Sequence, residues 1–256
     1  MEEINVKGVV VRAADYGEND RLLTLITEER GKILATVKGG RSLKSRFLSV
    51  SEPFCLGVFG LRKKSKYFYL FDCDLIDDFY PVREDLERVS LASYICEIAS
   101  ELSLEGIPDE DLLKLTLNAL YALAYKKEIG CEKIKSSYEF KAAVISGYMP
   151  DLASCSVCGC EPEDDLFIDV GAGGLICRDC ISKPGDVTGI GSSSVVLPLS
   201  PAALAALRFL EEAPIKKFLS YTINDRSNSF YNVCEKYLMC HLEKEFYTLN
   251  FYKSIK

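Results

Sequence analysis

The hydrophobic period of this chain changes once, near Pro81, from two residues to 3.6, and that change narrows the folds open to it. Upstream the pattern is β. Val6 to Arg12 is rich in β-branched residues, and Arg21 to Thr27 alternates around Leu23 and Leu25. Glu28-Glu29-Arg30-Gly31 then supplies a turn, and Lys32 to Val37 returns, which is a hairpin signature. Pro53 to Phe59 and Tyr67 to Cys73 read as two further strands. Five short strands in about 75 residues suit a small closed barrel of the OB-fold kind, because closure removes exposed edges. In the last strand Tyr67, Tyr69 and Phe71 share one face, and Phe68 and Leu70 the other. The expectation is that most of these rings fill the core. The alternative is a set of outward platforms on which bases stack.

Downstream, Leu86, Val89, Ala92, Cys96, Ala99 and Leu102 fall on one helical stripe. Asp109 precedes a second run that is apolar nearly all round, from Leu112 to Ala124, as in a buried helix. A third helix is expected from Glu132 to Ser146, stopped by Gly147 with Pro150 beyond. Ser200-Pro201 reads as an N-cap followed by proline at the first helical position, with the helix running to Leu210. A last helix is expected over Phe230 to Phe246. The expected organisation is α+β and multi-domain. An OB-fold barrel covers residues 1–80, and a mainly α-helical domain covers 81–256, interrupted at 151–185 by an insert.

That insert carries Cys155-x-x-Cys158 and Cys177-x-x-Cys180, which enclose 18 residues, within the range of four-cysteine zinc sites. Each pair forms a knuckle that presents two thiolates. Phe167 to Val170, the glycines at 171, 173 and 174, and Leu175-Ile176 supply the hairpin between them. Four thiolates in a closed tetrahedral site suit a structural Zn²⁺. Iron, disulfides and unrelated thiols are the competing readings. The eleven cysteines belong to a chain without a secretory signal, so they read as reduced thiols of a cytoplasmic protein. Cys160 is a spare thiol. Cys55, Cys73, Cys96, Cys131, Cys234 and Cys240 read as buried small hydrophobes. No segment reaches the ~20 apolar residues of a membrane span.

Charge is concentrated. Residues 31–71 hold nine cations against Glu52 alone, a net +8, so in a chain of net charge −7 the remaining residues sum to −15. The densest part is Lys38-Gly39-Gly40-Arg41-Ser42-Leu43-Lys44-Ser45-Arg46, with a second cluster from Arg62 to Lys66. A cationic zone on an anionic protein is the footprint of a polyanion partner. The glycines let the backbone approach that partner, and Ser42 and Ser45 can donate to phosphate oxygens.

Val9-Val10-Val11-Arg12, Tyr16-Gly17-Glu18-Asn19-Asp20-Arg21, Thr27-Glu28-Glu29-Arg30-Gly31-Lys32 and Lys38-Gly39-Gly40-Arg41 through Lys44-Ser45-Arg46-Phe47, in this order and spacing, resemble the RecO family of bacterial recombination mediators. Ser146-Gly147-Tyr148-Met149-Pro150 resembles that family's pattern too. The resemblance implies an N-terminal OB-fold, binding to single- and double-stranded DNA, and annealing of complementary single strands in recombinational repair. It also implies a RecR partner, contact with the tail of the single-stranded DNA-binding protein, and, through these, loading of RecA. It permits a metal without requiring one, because some members lack the cysteines. The expected location is the bacterial cytoplasm, at the nucleoid. The candidate DNA contacts are Arg12, Lys38, Arg41, Lys44, Arg46, Arg62, Lys63, Lys64 and Lys66.

The same residues leave a second reading, a zinc-ribbon adaptor whose DNA contact is incidental. An enzyme is not expected. The one histidine, His241, sits beside Leu238 and Leu242 and reads as a helix-surface or satisfied core residue. There is no Gly-x-x-x-x-Gly-Lys-Ser/Thr loop. Asp72, Asp74, Asp77 and Asp78 are carboxylates of the kind that hold Mg²⁺ in nucleases, but where the barrel should end they read as a solvated linker.

Overall fold

The computed structural model describes residues 2–161, 166–182 and 195–256. These form two compact units. The first joins Met1–Cys131 with Phe246–Lys256, and the second is Glu132–Glu245. This division does not follow the change of period at residue 80, because two helices and the C-terminus group with the strands. The expected insert boundary at residue 185 lies outside the described residues.

In the first unit β1 (Glu2–Tyr16), β2 (Asp20–Thr27), β3 (Gly31–Val37), β4 (Leu56–Lys64) and β5 (Tyr67–Asp77) close into an OB-like barrel in the order β1-β2-β3-β5-β4. Closure depends on the length of β1. Its residues Gly8–Tyr16 pair with β2, and its residues Glu2–Val9 pair with β4. The strand expected from Pro53 starts instead at Leu56, and it runs past Phe59 to Lys64. Proline has no N–H to give to a ladder.

Three bulges interrupt the barrel strands, and two of them set which side chains point inward near the site. Val10 pairs with Leu25 and Arg12 with Thr24, so Val11 is the extra residue in β1. In β5, Leu70 pairs with Leu61 and Asp72 with Gly60, so Phe71 is the extra residue. Leu70 and Cys73 therefore both pack on the core, although an unbroken strand would put residues three apart on opposite faces. The interior is filled by Val6, Val10, Leu23, Leu25, Phe59 and Leu61 among others. Val9, Val11 and Ile26 are buried on the opposite face. There β1 and β2 are covered by α1 (Leu86–Leu102) and α2 (Glu110–Tyr125). Cover on both faces explains why Val9-Val10-Val11 runs without alternation.

The stripe expected for α1 is buried at Ala92, Cys96 and Ala99, but its first member, Leu86, is exposed, and burial extends beyond the stripe to Arg88, Ser90, Leu91, Tyr94, Ile95 and Ile98. The Arg88 guanidinium donates to the carbonyls of Leu123 (2.6 Å) and Lys127 (3.2 Å), satisfying orphan acceptors where α2 ends. Asp85 and Asp109 cap α1 and α2 by accepting from Arg88 N and Leu112 N.

In the second unit α3 (Cys131–Ile145) leads to a four-stranded sheet made of β6 (Asp151–Cys155), β7 (Leu166–Asp169), β8 (Gly174–Cys177) and β9 (Val196–Leu199), ordered β6-β8-β7-β9. The short α4 (Arg178–Ile181) carries the last cysteine of the second knuckle, and α5 (Pro201–Glu212) starts at the Ser200 cap as expected. The last helix expected over Phe230 to Phe246 ends early. The segment α6 (Ser229–Leu242) stops with Glu243 in the left-handed region (φ 48°), and a further helix that the sequence did not suggest, α7 (Tyr247–Ser254), belongs to the first unit, where Phe246 packs edge-on to Tyr94.

Helix α3 buries charge. Lys135 Nζ lies 3.0 Å from Glu139 and 2.8 Å from Glu235 of α6, with Lys135 and Glu139 almost wholly enclosed. Burial by itself lowers the Lys135 pKa, but the two carboxylates more than offset this and hold it above the usual lysine value. Among the described residues no helix is long and apolar enough to cross a membrane.

Candidate nucleic-acid face and metal centre

The barrel decides the orientation of β5. Leu70 lies inside and Phe68 packs partly against the core, whereas Tyr67, Tyr69 and Phe71 point outward, with Tyr67 57% exposed. The expectation that most of these rings fill the core is thus corrected for three of the four. Cations lie over the same strand. Lys38 is 5.9 Å from the Tyr69 ring, Arg62 5.2 Å from Phe71, Lys66 5.6 Å from Tyr67 and Lys63 5.6 Å from Phe68. Rings two residues apart on a regular strand are roughly 6.6 Å apart along it, so Tyr67 and Tyr69 step regularly, and the bulged Phe71 extends the ladder beyond them.

The 38–46 loop is fastened to the β1–β2 turn. Asp20 accepts from Lys38 Nζ (2.6 Å) and Gly39 N (2.9 Å), and Arg41 N donates to Asn19 O (3.0 Å). Gly39 takes a φ of +64° to make this turn. The Lys38 ammonium, followed by the Gly39 N–H, holds the Asp20 carboxyl below its ordinary value. Arg41 reaches Asp15 at 3.3 Å and Glu18 O at 3.0 Å, and Arg62 reaches Glu3 at 2.7 Å. Arg46 donates to the carbonyl of the bulged Phe71 and lies 4.6 Å from the Phe47 ring.

Three of the nine candidates (Lys38, Arg41 and Arg62) are thus already paired with carboxylates. Arg12, Lys44, Lys63, Lys64 and Lys66 have no ion-pair partner among the described residues. Sequence reading missed these acids because Glu3, Asp15 and Asp20 precede the basic window by 11 to 28 positions. The β1–β2 hairpin and the β1–β4 pairing bring them alongside.

The two knuckles meet. The Sγ atoms of Cys155, Cys158, Cys177 and Cys180 all lie within 4.8 Å of one another, with Cys158 and Cys177 3.8 Å apart. Four sulfurs at ~2.3 Å from a tetrahedral ion stand roughly 3.8 Å apart, so the donor set fits such an ion. The Cys177 N–H donates to Cys155 Sγ (3.4 Å), and Gly159 takes a φ of +74° to close the first knuckle. The N–H and thiol of Cys160 pull the Cys158 thiol below its ordinary value. The β7–β8 hairpin pairs Leu166 with Cys177 and Asp169 with Gly174, as the glycines between the knuckles suggested. Among the described residues this is the one cluster of His, Cys, Asp or Glu side chains spaced to hold a metal.

Other candidates fall elsewhere. Asp77 accepts from Tyr125 Oη (2.9 Å) and Phe79 N, and Asp78 accepts from Tyr80 N. His241 stacks on Tyr148 and meets Tyr237 edge-on. It is half-buried on α6 and its Nε2 has no hydrogen-bond partner among the described residues, so of the two expected readings, helix surface or satisfied core, the second does not hold, and burial lowers its pKa. Cys55, Cys96, Cys131 and Cys234 are buried and Cys73 half-buried, but Cys240 is exposed, against expectation. Burial pushes Cys55 up to about 11 and Cys96 up to about 12.

A strand-rich barrel followed by helices and a thiolate cluster defines a class, and comparison narrows it. The family described as Recombination protein O N terminal matches residues 1–79, and Recombination protein O C terminal matches residues 83–249. The DNA repair protein RecO of Acetivibrio thermocellus is 28% identical over 256 residues, covering 100% of this chain and 98% of its own. That of Alkaliphilus metalliredigens is 32% identical over 242 residues, 94% of each chain. That of Anaeromyxobacter sp. (strain K) is 35% identical over 217 residues, 83% of this chain and 80% of its own. This chain belongs to the RecO family.

Proposed function

We propose that the chain is a non-enzymatic mediator of recombinational DNA repair that binds and anneals single strands on the outward face of β5. The observation that carries this reading is the ladder of Tyr67, Tyr69 and Phe71 with cations set over its rings. Bases stack on such rings whatever their sequence, and phosphates pair with the cations between them. The contacts are Lys38, Arg41, Lys44, Arg46, Arg62, Lys63, Lys64 and Lys66, with Arg12 exposed on β1. Complementary strands repel through their phosphates. A cationic surface that holds both lowers that repulsion, and base pairing supplies the driving force. Without a nucleotide-binding loop the action rests on differential binding alone.

The four thiolates hold a structural Zn²⁺, as their spacing and donor set suit. The relatives' role in DNA repair supports assigning a RecR-like partner, the tail of the single-stranded DNA-binding protein and, indirectly, RecA. The setting is the reducing bacterial cytoplasm, at the nucleoid. Strand annealing without nucleotide is the test. Wild type should accelerate pairing, and Arg41→Glu or Lys44→Glu should slow it by roughly the ~10-fold that a ~1.4 kcal/mol loss brings. A wild-type protein that binds DNA but gives only the spontaneous rate would leave the zinc-ribbon adaptor reading in its place.

A further inference from the structure

The barrel has a gap beside the ladder. Gly31 and Lys32 of β3 bridge to Glu105 in the segment after α1, while Ala35 and Thr36 pair with Phe68 and Tyr69 of β5. Between these pairings Ile33 and Leu34 carry no strand partner on that side among the described residues, because β3 starts four residues before β5 joins it. The result is a cleft of about 470 Å³. Arg30, Lys32, Lys63 and Lys66 line it, against the one carboxylate of Glu105, and Tyr67 and Phe68 form its aromatic wall.

We propose that this cleft is a nucleotide subsite, which takes one unstacked base of a single strand against Tyr67 and Phe68 with the adjoining phosphate on Lys63 and Lys66. The proposal rests on the DNA reading above and extends it beyond the outer face. Three observations lead here. First, the cleft lies at the end of the ladder, since Tyr67 is both its last rung and part of the cleft wall. Second, each wall ring has an ammonium above it, Lys66 over Tyr67 and Lys63 over Phe68, both at 5.6 Å. Third, these two lysines form no ion pair among the described residues, whereas Arg62 on the outer face is held by Glu3. Arg62 and Lys63 are neighbours on β4 and so point to opposite sides of it. A strand that leaves the outer face past Tyr67 thus meets unneutralised charge next. The volume admits a base and sugar but not a duplex. Flat rings under ammonium groups match a base flanked by phosphate better than an acidic peptide with an aliphatic tip.

The test is photocrosslinking of the full chain to a 5-iodouracil oligothymidylate, with the modified peptides mapped by mass spectrometry. Adducts are expected on Tyr67 or Phe68 as well as on Tyr69 or Phe71. In Lys63→Gln/Lys66→Gln the Tyr67 and Phe68 adducts should fall at least ~10-fold, while those on Phe71 stay within ~2-fold, which also reports a folded barrel. Adducts confined to Tyr69 and Phe71 in wild type would overturn the subsite and keep the DNA reading. So would an equal fall at all four rings, which would mean one undivided site. Loss of acidic-peptide binding in the variant with no adduct at Tyr67 or Phe68 would assign the cleft to a protein partner instead. A wild-type chain that forms no adduct and retains no oligonucleotide would overturn the DNA reading itself, and the subsite with it.

Discussion

Cys177→Ser loosens the β6–β9 sheet and leaves the barrel folded. The substitution removes one of four thiolates whose Sγ atoms lie within 4.8 Å, and Cys155, Ile176, Cys177 and Cys180 form the core of that sheet. Metal binding in isolated finger peptides is worth roughly 10–16 kcal/mol. The effect on this chain is smaller, because α3, α5 and α6 bury their own residues, Phe140, Leu207, Leu210, Phe230 and Tyr237 among them. Hydrogen exchange should show amides of β6 to β8 losing protection while β1 to β5 keep theirs. Elemental analysis should fall from about one zinc per chain towards none. Equal loss in the barrel, or metal-free wild-type protein purified without chelators, would contradict the assignment.

Lys135→Met should destabilise the second unit by about 3–5 kcal/mol. The ammonium is the counter-charge of Glu139, which is fully buried, and it links α3 to Glu235 of α6. Methionine keeps the packing volume but removes the ammonium that bridges the two carboxylates. Denaturant unfolding should lower the midpoint with little change in slope. A shift below about 1 kcal/mol would mean that the network is no more than an exposed pair in its energetics.

The strands and most helices could be read from the sequence because period and caps are local. Thr27 to Lys32 announced its hairpin, and Asp109 and Ser200 their helices. The four cysteines were readable for the same reason, since knuckle spacing is a local property. Closure was not. Tyr67 to Phe71 is apolar on both faces, so nothing in the residues selects the wet one. The choice follows from the bulge at Phe71, which turns Leu70 and Cys73 to the same side. Charge pairing was hidden likewise, because Asp20 meets Lys38, and Glu3 meets Arg62, only after β1 pairs with β2 and β4. The break after α6 has no local signal either. Glu243 adopts φ 48° in a stretch of good helix formers, and the position of the fully buried Phe246 overrides that preference.

That pairing changes the expected salt dependence. When a phosphate takes Lys38, Arg41 or Arg62, the released carboxylate of Asp20, Asp15 or Glu3 gathers a counterion of its own. Those three cations then add little to the net ion release. Exchange is nonetheless inexpensive, because exposed pairs are worth only ~0–1 kcal/mol. Lys44, Arg46, Lys63, Lys64 and Lys66 carry the dependence, at roughly −0.7 each on single strands, for a slope near −3.5. The most direct measurement is a titration of the full chain with single-stranded oligonucleotide at 50 and 200 mM salt. Affinity should fall by about 130-fold between the two. An affinity unchanged across that range would show that the cationic, aromatic face of the barrel does not receive a phosphate backbone.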